Sequence, residues 1–317
     1  MPPFVLPFEK PFVELLTRVR ELRVLAAGDP KLLGELARLE EKTAQVARDA
    51  YRELSPMQKL QIARHPERPY TLDYAARLLD DWVELHGDRR FGDDAAVVAG
   101  LGRYHGRSVV VVGHQRGRDA DENARRNLGM PHPEGYRKAV RAFDLADRMG
   151  LPILTFVDTP GAFPGIAAEE RGQSEAIAGS LAAMSRVRVP VVATIVGEGG
   201  SGGALAFAVA NRVLVLEFGC YTVISPEGCA AILWRDATRA PEAAERLKMT
   251  APDLLRLGIV DEVVAEPAGG AHHDHDEAAR RLDRALSAAL ASLDSLSPAA
   301  LADDRYRRFR AFGALVA

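Results

Sequence analysis

Apolar positions in the first 68 residues recur at helical spacing. Phe12, Leu15, Leu16, Val19 and Leu22 form one stripe, and Leu32, Leu33, Leu36, Leu39, Val46 and Tyr51 form a second across a more charged stretch. The pattern predicts two amphipathic helices in a hairpin broken at Gly28-Asp29-Pro30, its stripe packed on its own domain or on a second subunit. Ser55-Pro56 opens a short third helix that ends before His65-Pro66. From Thr71 the period changes. A helix over 71–86 leads to strands over 95–101 and 108–113, which flank the hairpin signal Tyr104-His105-Gly106-Arg107. A polar connection over 116–133 is long for a compact domain, so it is expected to be functional or mobile. Helices over 134–149, 169–186 and 202–210 then alternate with apolar strands over 153–158, 191–196, 213–217 and 222–225, and a helix over 228–234 follows.

This rhythm of apolar strands and helices joined by short loops predicts an α/β fold with the sheet buried on both faces. Amphipathic helices over 276–293 and 298–312 close the chain. Three segments are expected: an N-terminal helical arm over 1–68, the α/β body over 69–293, and a C-terminal helical tail over 294–317. No internal repeat is present.

The densest chemical signal is Gly197-Glu198-Gly199-Gly200-Ser201-Gly202-Gly203-Ala204, directly after an apolar strand and before a helix. Glycines bare the backbone of this turn and leave N–H groups clustered at a helix start, where negative charge is held. A second glycine-rich turn, Gly161-Ala162-Phe163-Pro164-Gly165, follows another strand, so one pocket walled by backbone is expected. Charge narrows what the anion can be. With 41 basic and 44 acidic residues there is no basic excess that points to nucleic acid. Cys220 and Cys229 are too few for a disulfide framework and lack zinc-site spacing. No apolar run reaches membrane-spanning length and no signal pattern opens the chain, so a cytoplasmic location is expected.

Three motifs overlap on these turns. Gly197, Gly199 and Gly202 fit a dinucleotide fingerprint with Glu217 as the ribose acid, which would make the chain an oxidoreductase. Gly199-Gly200-Ser201-Gly202-Gly203 fits a nucleophile elbow, with Asp261 and His272 or His273 in triad order, although Ser201 could simply cap the helix. Asp158-Thr159-Pro160-Gly161 resembles a GTPase magnesium segment, but no phosphate-loop lysine motif accompanies it. A non-catalytic scaffold with purely structural glycines is a further alternative. The run His272-His273-Asp274-His275 is expected to be solvated loop rather than a metal site.

Longer blocks are more specific. Arg64-His65-Pro66-Glu67-Arg68-Pro69-Tyr70-Thr71-Leu72-Asp73-Tyr74, Gly129-Met130-Pro131-His132-Pro133-Glu134-Gly135-Tyr136-Arg137-Lys138-Ala139, and 157–165 are the first three. The segments 84–89, 169–178, 197–206, 223–234 and 266–272 complete the set. Together they resemble the carboxyltransferase alpha subunits of bacterial acetyl-CoA carboxylases. The resemblance implies a crotonase-like fold of repeated strand-strand-helix units over 69–293. It implies transfer of a carboxyl group from carboxybiotin, carried on a biotin carboxyl carrier protein, to acetyl-CoA, giving malonyl-CoA for fatty acid synthesis. It also implies a zinc-ribbon beta subunit as partner in an alpha2beta2 heterotetramer, biotin carboxylase in the full complex, and activity only with the partner. No metal is expected in this chain.

By the same resemblance, Gly202 and Gly203 supply an oxyanion contact facing biotin. Gly199, Gly200 and Ser201 shape the turn, and Gly161 and Gly165 are walls of the same pocket. Arg137 and Lys138, with Arg116, Arg118, Arg125 and Arg126, are candidates for contact with the CoA phosphates or the carrier, against a plain solvated face. Glu198 would oppose an oxyanion and is expected to point away into a structural hydrogen bond, while Glu227 is expected to be a first-turn acid.

Overall fold

The computed structural model describes residues 4–26 and 29–313. The arm follows its periodicity: helices Lys10–Leu25 and Pro30–Arg52 pack on each other through Val19, Ala26 and Leu36. Of the predicted break, Gly28 lies outside the described residues, and Asp29 caps the second helix by accepting from the Lys31 N–H. Ser55 and Gln58 form a reciprocal capping box on the helix Pro56–Ala63. The arm docks on its own chain. Leu6, Leu54 and Ile62 bury with Phe218, and the Phe12 ring packs edge-on against His273.

The body is one mixed sheet of eight strands among the described residues. These are β1 Asp80–Glu84, β2 Val97–Tyr104, β3 Arg107–His114, β4 Ile153–Thr159, β5 Val191–Gly200, β6 Arg212–Leu216, β7 Cys220–Thr222 and β8 Glu262–Val264. The spatial order is β1-β2-β3-β4-β5-β6-β8, and β7 pairs beyond β6 with the end of β5. β1–β2–β3 run antiparallel, and the rest run parallel. The β2–β3 turn is the two-residue hairpin His105-Gly106, both with positive φ, which matches the strand twist.

Side chains alternate across the sheet. Val110, Val112, Val191, Ala193 and Ile195 face helices Pro133–Met149 and Gln173–Arg186, where Tyr136, Phe143 and Met184 bury. Val109, Val111, Val192 and Val196 face the helix His275–Ala291, where Leu282 and Leu286 are fully buried. Each such leucine stabilises the fold by about 1.5–3 kcal/mol. Both faces are therefore covered, as the apolar strands predict.

Several boundaries differ from the sequence reading. The expected helix over 71–86 stops at Leu78, and 80–84 forms the edge strand β1, with the Leu85 N–H donating to Ala99 O. The helix over 169–186 divides at Gly172, whose φ is 82°. The segment 116–133 is ordered by its arginines rather than loose: Arg118 donates to the carbonyls of Pro66 and Arg68, and Arg126 to that of Ala95. Helices Ala240–Leu247 and Ala251–Arg256 were not anticipated.

Candidate active site

The two glycine turns meet at the carboxyl ends of adjacent parallel strands, the usual ligand edge of such a sheet. β5 runs buried to Gly200 and turns at Ser201 into the five-residue helix Ser201–Leu205. A Cβ on Gly200 would lie 2.2 Å from the Pro160 carbonyl oxygen, and one on Gly203 would lie 2.7 Å from the Ala162 nitrogen. Bare backbone thus packs on bare backbone, and this contact requires glycine. Gly161 has φ 149°, and the Thr159 hydroxyl accepts from its N–H and donates to its carbonyl. Gly165 lies under the Phe163 ring, and Gly199 lies against Tyr221.

Gly202 and Gly203 stand in the first turn, where helical N–H groups have no carbonyl one turn back. Among the described residues no loop carbonyl or side chain accepts from either. Their surroundings differ. Gly202 is half-buried and lines an apolar cavity of about 260 Å³ with Ser201, Leu205, Tyr221, Val223, Leu254 and Ile259. Gly203 is buried against the 161–162 backbone. Larger hollows of about 440 and 420 Å³ lie along the helix Pro133–Met149 and between the arm and 267–281, and neither touches the turn. The unpartnered donors, not volume, single out this place.

Beneath the turn lies a buried charge network. Glu198 receives a two-pronged contact from Arg64, Nε to Oε2 at 2.9 Å and Nη2 to Oε1 at 2.7 Å. Arg116 lies 3.2 Å from Asp158 and 3.4 Å from Glu198. Asp158 in turn accepts from the Glu198 N–H at 3.0 Å. Burial pushes the Asp158 carboxyl up, against the pull of Arg116. Fully buried His114 beside it is held at about 3, by burial first and then by Arg116, and is neutral. Asp158 and Glu198 therefore share the guanidiniums of Arg64 and Arg116. Glu198 does turn into a structural contact, as expected. Glu227, in the first turn of the helix Pro226–Trp234, also takes Arg64 at 2.8 Å.

Of the basic candidates, Lys138 is corrected. The Lys138 ammonium is 1% exposed and bonded to Asp93 Oδ1 at 2.6 Å and Asp94 O at 2.8 Å, so it cannot reach a phosphate. Arg137 donates to Arg171 O at 2.6 Å and Glu175 at 3.2 Å, a brace between two helices. Arg116 and Arg126 are likewise internal struts, while Arg118, though bonded to the Pro66 and Arg68 carbonyls, and Arg125 are exposed.

The competing motifs lose their geometry. Ser201 has φ 53°, the strained turn of an elbow, but its hydroxyl neither caps the helix nor meets a base. Asp261 holds the Val213 N–H and Arg308 at the start of β6, the opposite end of the strands, and His272 bonds Glu9. Glu217 accepts from the Glu266 N–H, and a five-residue helix is too short for a dinucleotide crossover.

The histidine run is not solvated at its start. His272 is 8% exposed, its Nε2 lies 2.9 Å from Glu9 Oε1, and its ring stacks on His65 at 4.1 Å. Ligand atoms of Glu9, His65 and His272 lie within 4.8 Å of one another. An ion sits in the plane of each ligating imidazole, which two stacked rings cannot share. His65 Nδ1 accepts from the Glu67 N–H, placing its proton on Nε2, and Glu9 already accepts from the Leu6 N–H and the Tyr51 hydroxyl. The trio is a hydrogen-bonded latch for the arm. The sequence reading missed this latch and the Arg64 network, although the block containing Arg64 and His65 carried the resemblance.

Comparisons with known proteins agree with this architecture. Over residues 5–313 the chain matches the family model for acetyl co-enzyme A carboxylase carboxyltransferase-like proteins. It is 68% identical over 312 residues to the acetyl-coenzyme A carboxylase carboxyl transferase subunit alpha of Sorangium cellulosum, covering 98% of each chain. It is 60% identical over 310 residues to the corresponding Thermus thermophilus subunit, again covering 98% of each. Among solved structures, transcarboxylase 12S with methylmalonyl-coenzyme A bound superposes with TM-score 0.58 at 23% identity, over 71% of this chain and 41% of that one. A Pseudomonas malonate decarboxylase hetero-tetramer in complex with coenzyme A gives TM-score 0.58 at 20% identity, over 70% and 89%. These likenesses show a crotonase-like fold. By sequence over nearly its whole length, the chain belongs to the acetyl co-enzyme A carboxylase carboxyltransferase-like family.

Proposed function

We propose that this chain is the alpha half of an acetyl-CoA carboxyltransferase and that its glycine turn holds the ureido oxygen of carboxybiotin during transfer. As the N–CO₂ bond of carboxybiotin breaks, charge gathers on that oxygen. The amides of Gly202 and Gly203 stand ready to receive it, with Gly202 on the cavity wall. The released ureido nitrogen takes a methyl proton from acetyl-CoA, and the resulting enolate carbon bonds to CO₂, giving malonyl-CoA. No side-chain base is needed. Fixed donors stabilise such charge without reorganising, each by roughly 3–4 kcal/mol in known cases. The apolar cavity beside Gly202 suits a compact heterobicycle whose one polar edge meets the amide.

The observation that carries this reading is the pair of unpartnered first-turn amides on a turn packed backbone to backbone at Gly200 and Gly203. The thioester oxygen of acetyl-CoA is assigned to a zinc-ribbon beta subunit, in an alpha2beta2 assembly served by a biotin carboxyl carrier protein and biotin carboxylase in the cytoplasm. Gly202→Val is the decisive variant. A Cβ there meets only Ile177, at 3.6 Å, so the fold tolerates it while the branched side chain crowds the amides. Co-purified with a beta subunit, it should assemble normally and lose malonyl-CoA formation by about 100-fold or more. Full turnover in that variant would overturn the assignment.

A further inference from the structure

Arg64 lies outside the glycine turn, in the segment that joins the arm to the body, yet it touches the strand that ends in that turn and a second element, the helix Pro226–Trp234. Its guanidinium grips Glu198 with two nitrogens, at 2.9 and 2.7 Å, and reaches Glu227 with Nη1 at 2.8 Å. Glu198 belongs to the last residues of β5, and Glu227 opens the helix Pro226–Trp234. The fork geometry of arginine suits a carboxylate that must be held in one orientation. The Glu198 side chain is 2% exposed. A carboxylate that deep, four residues before Gly202, would repel any anion forming at the turn if it stood alone. Arg116 cannot neutralise both anions, because its closer contact is with Asp158, at 3.2 Å against 3.4 Å to Glu198. Four residues further on, fully buried Arg68 donates to Val196 O in the same strand at 2.8 and 3.2 Å and pairs with Glu266. The 64–68 segment therefore fixes the end of β5 at two points.

We propose that Arg64 is a positioning residue for carboxyl transfer: it orients the Glu198 carboxylate, cancels its charge beneath the oxyanion, and ties the glycine turn to the helix Pro226–Trp234. The inference rests on the oxyanion role given above to Gly202 and Gly203. Arg64 does not touch substrate. It acts by keeping the amides aimed and by opposing the Glu198 charge beneath them.

The test uses the alpha chain assembled with its beta partner and follows malonyl-CoA formation per assembled complex, well below the melting temperature. Arg64→Gln should lower kcat about 10- to 100-fold, in line with small misplacements elsewhere, while KM for acetyl-CoA stays within about twofold. Adding Glu198→Gln to Arg64→Gln removes the stranded carboxylate and should recover about 10-fold of the loss. A residue that only fills space predicts no recovery. Arg64→Lys keeps the charge but not the fork and should fall between wild type and Arg64→Gln. If Arg64→Gln does not assemble, the double variant and Arg64→Lys carry the comparison, and equal kcat in wild type and both would overturn the proposal. So would an unchanged kcat in Arg64→Gln, or a double variant no better than the single. An active wild-type complex that loses turnover with Gly202→Val but not with Arg64→Gln rejects this inference alone. A wild-type complex that makes no malonyl-CoA rejects the carboxyltransferase reading as well.

Discussion

Gly200 has no room for a methyl group. The backbone oxygen it would strike, 2.2 Å away, belongs to the neighbouring turn and cannot swing aside as a side chain could. Gly200→Ala should therefore destabilise the chain by about 1–3 kcal/mol, measured as a lower denaturation midpoint. An unchanged midpoint would mean that the two turns do not rest on each other. At this scale the sequence was informative about backbone and poor about charge. Glycine density announced the bare turn because few other roles call for it. Lys138 misled because nearness in sequence carries no direction. On the helix Pro133–Met149 it shares the inward stripe with Glu134, Ala142 and Ala146, and the helical period would have placed it inside. Arg64 carried no motif, and its role appears only when Glu198 and Glu227 arrive from far along the chain.

Elements with strong periodicity were legible, and those whose state depends on a neighbour were not. The helix Pro30–Arg52 and the hairpin at His105-Gly106 follow from local pattern alone. β1 does not, because its residues become a strand only by pairing with β2. The loop before the helix His275–Ala291 is a similar case: His272 is buried and His273 half-buried where the arm covers them. That burial makes the arm contact sensitive to pH. Burial, helped by His65 and Arg68, holds folded His272 at about 2, and burial with Arg116 holds His114 at about 3. In the unfolded chain both take up a proton near pH 6.5. Below that pH the unfolded state gains protons that the folded state refuses, so stability falls on acidification, by up to about 1.4 kcal/mol per pH unit for each histidine. Melting temperature should drop steadily from pH 6.5 toward pH 4. His272→Gln, which can still donate to Glu9, should flatten that slope, and an identical slope in the variant would remove His272 from the account.

Across the whole molecule, distant segments are joined by few, deeply placed polar groups. The fold class was readable because apolar strands alternating with helices admit few arrangements, whereas the ties between chain ends lie beyond any window of sequence. The arm reaches the body through Glu9, His65 and His272, and residues 64–68 continue to the end of β5. The other end of the chain has its own tie. Arg305, in the helix Pro298–Arg310, is 1% exposed and donates to the carbonyls of Met184, Val187 and Val189 and to Asn211 Oδ1. Burial lowers its guanidinium to about 10, with Asp304 and Asp147 opposing, so it remains charged at neutral pH. Arg305→Ala leaves these oxygens without their donor and should cost at least about 1–3 kcal/mol, read from chemical denaturation. A loss under 1 kcal/mol would show that water replaces the side chain.

Shortening the chain for crystallisation or fusion is where Arg305 has practical weight. A helix that looks expendable on paper would, once trimmed away, uncork the loop after the helix Gln173–Arg186, the same helix whose Ile177 lies beside Gly202. An engineer who wants a smaller protein should therefore cut elsewhere, since a deletion at this far terminus would strip the donor from the carbonyls of Met184, Val187 and Val189.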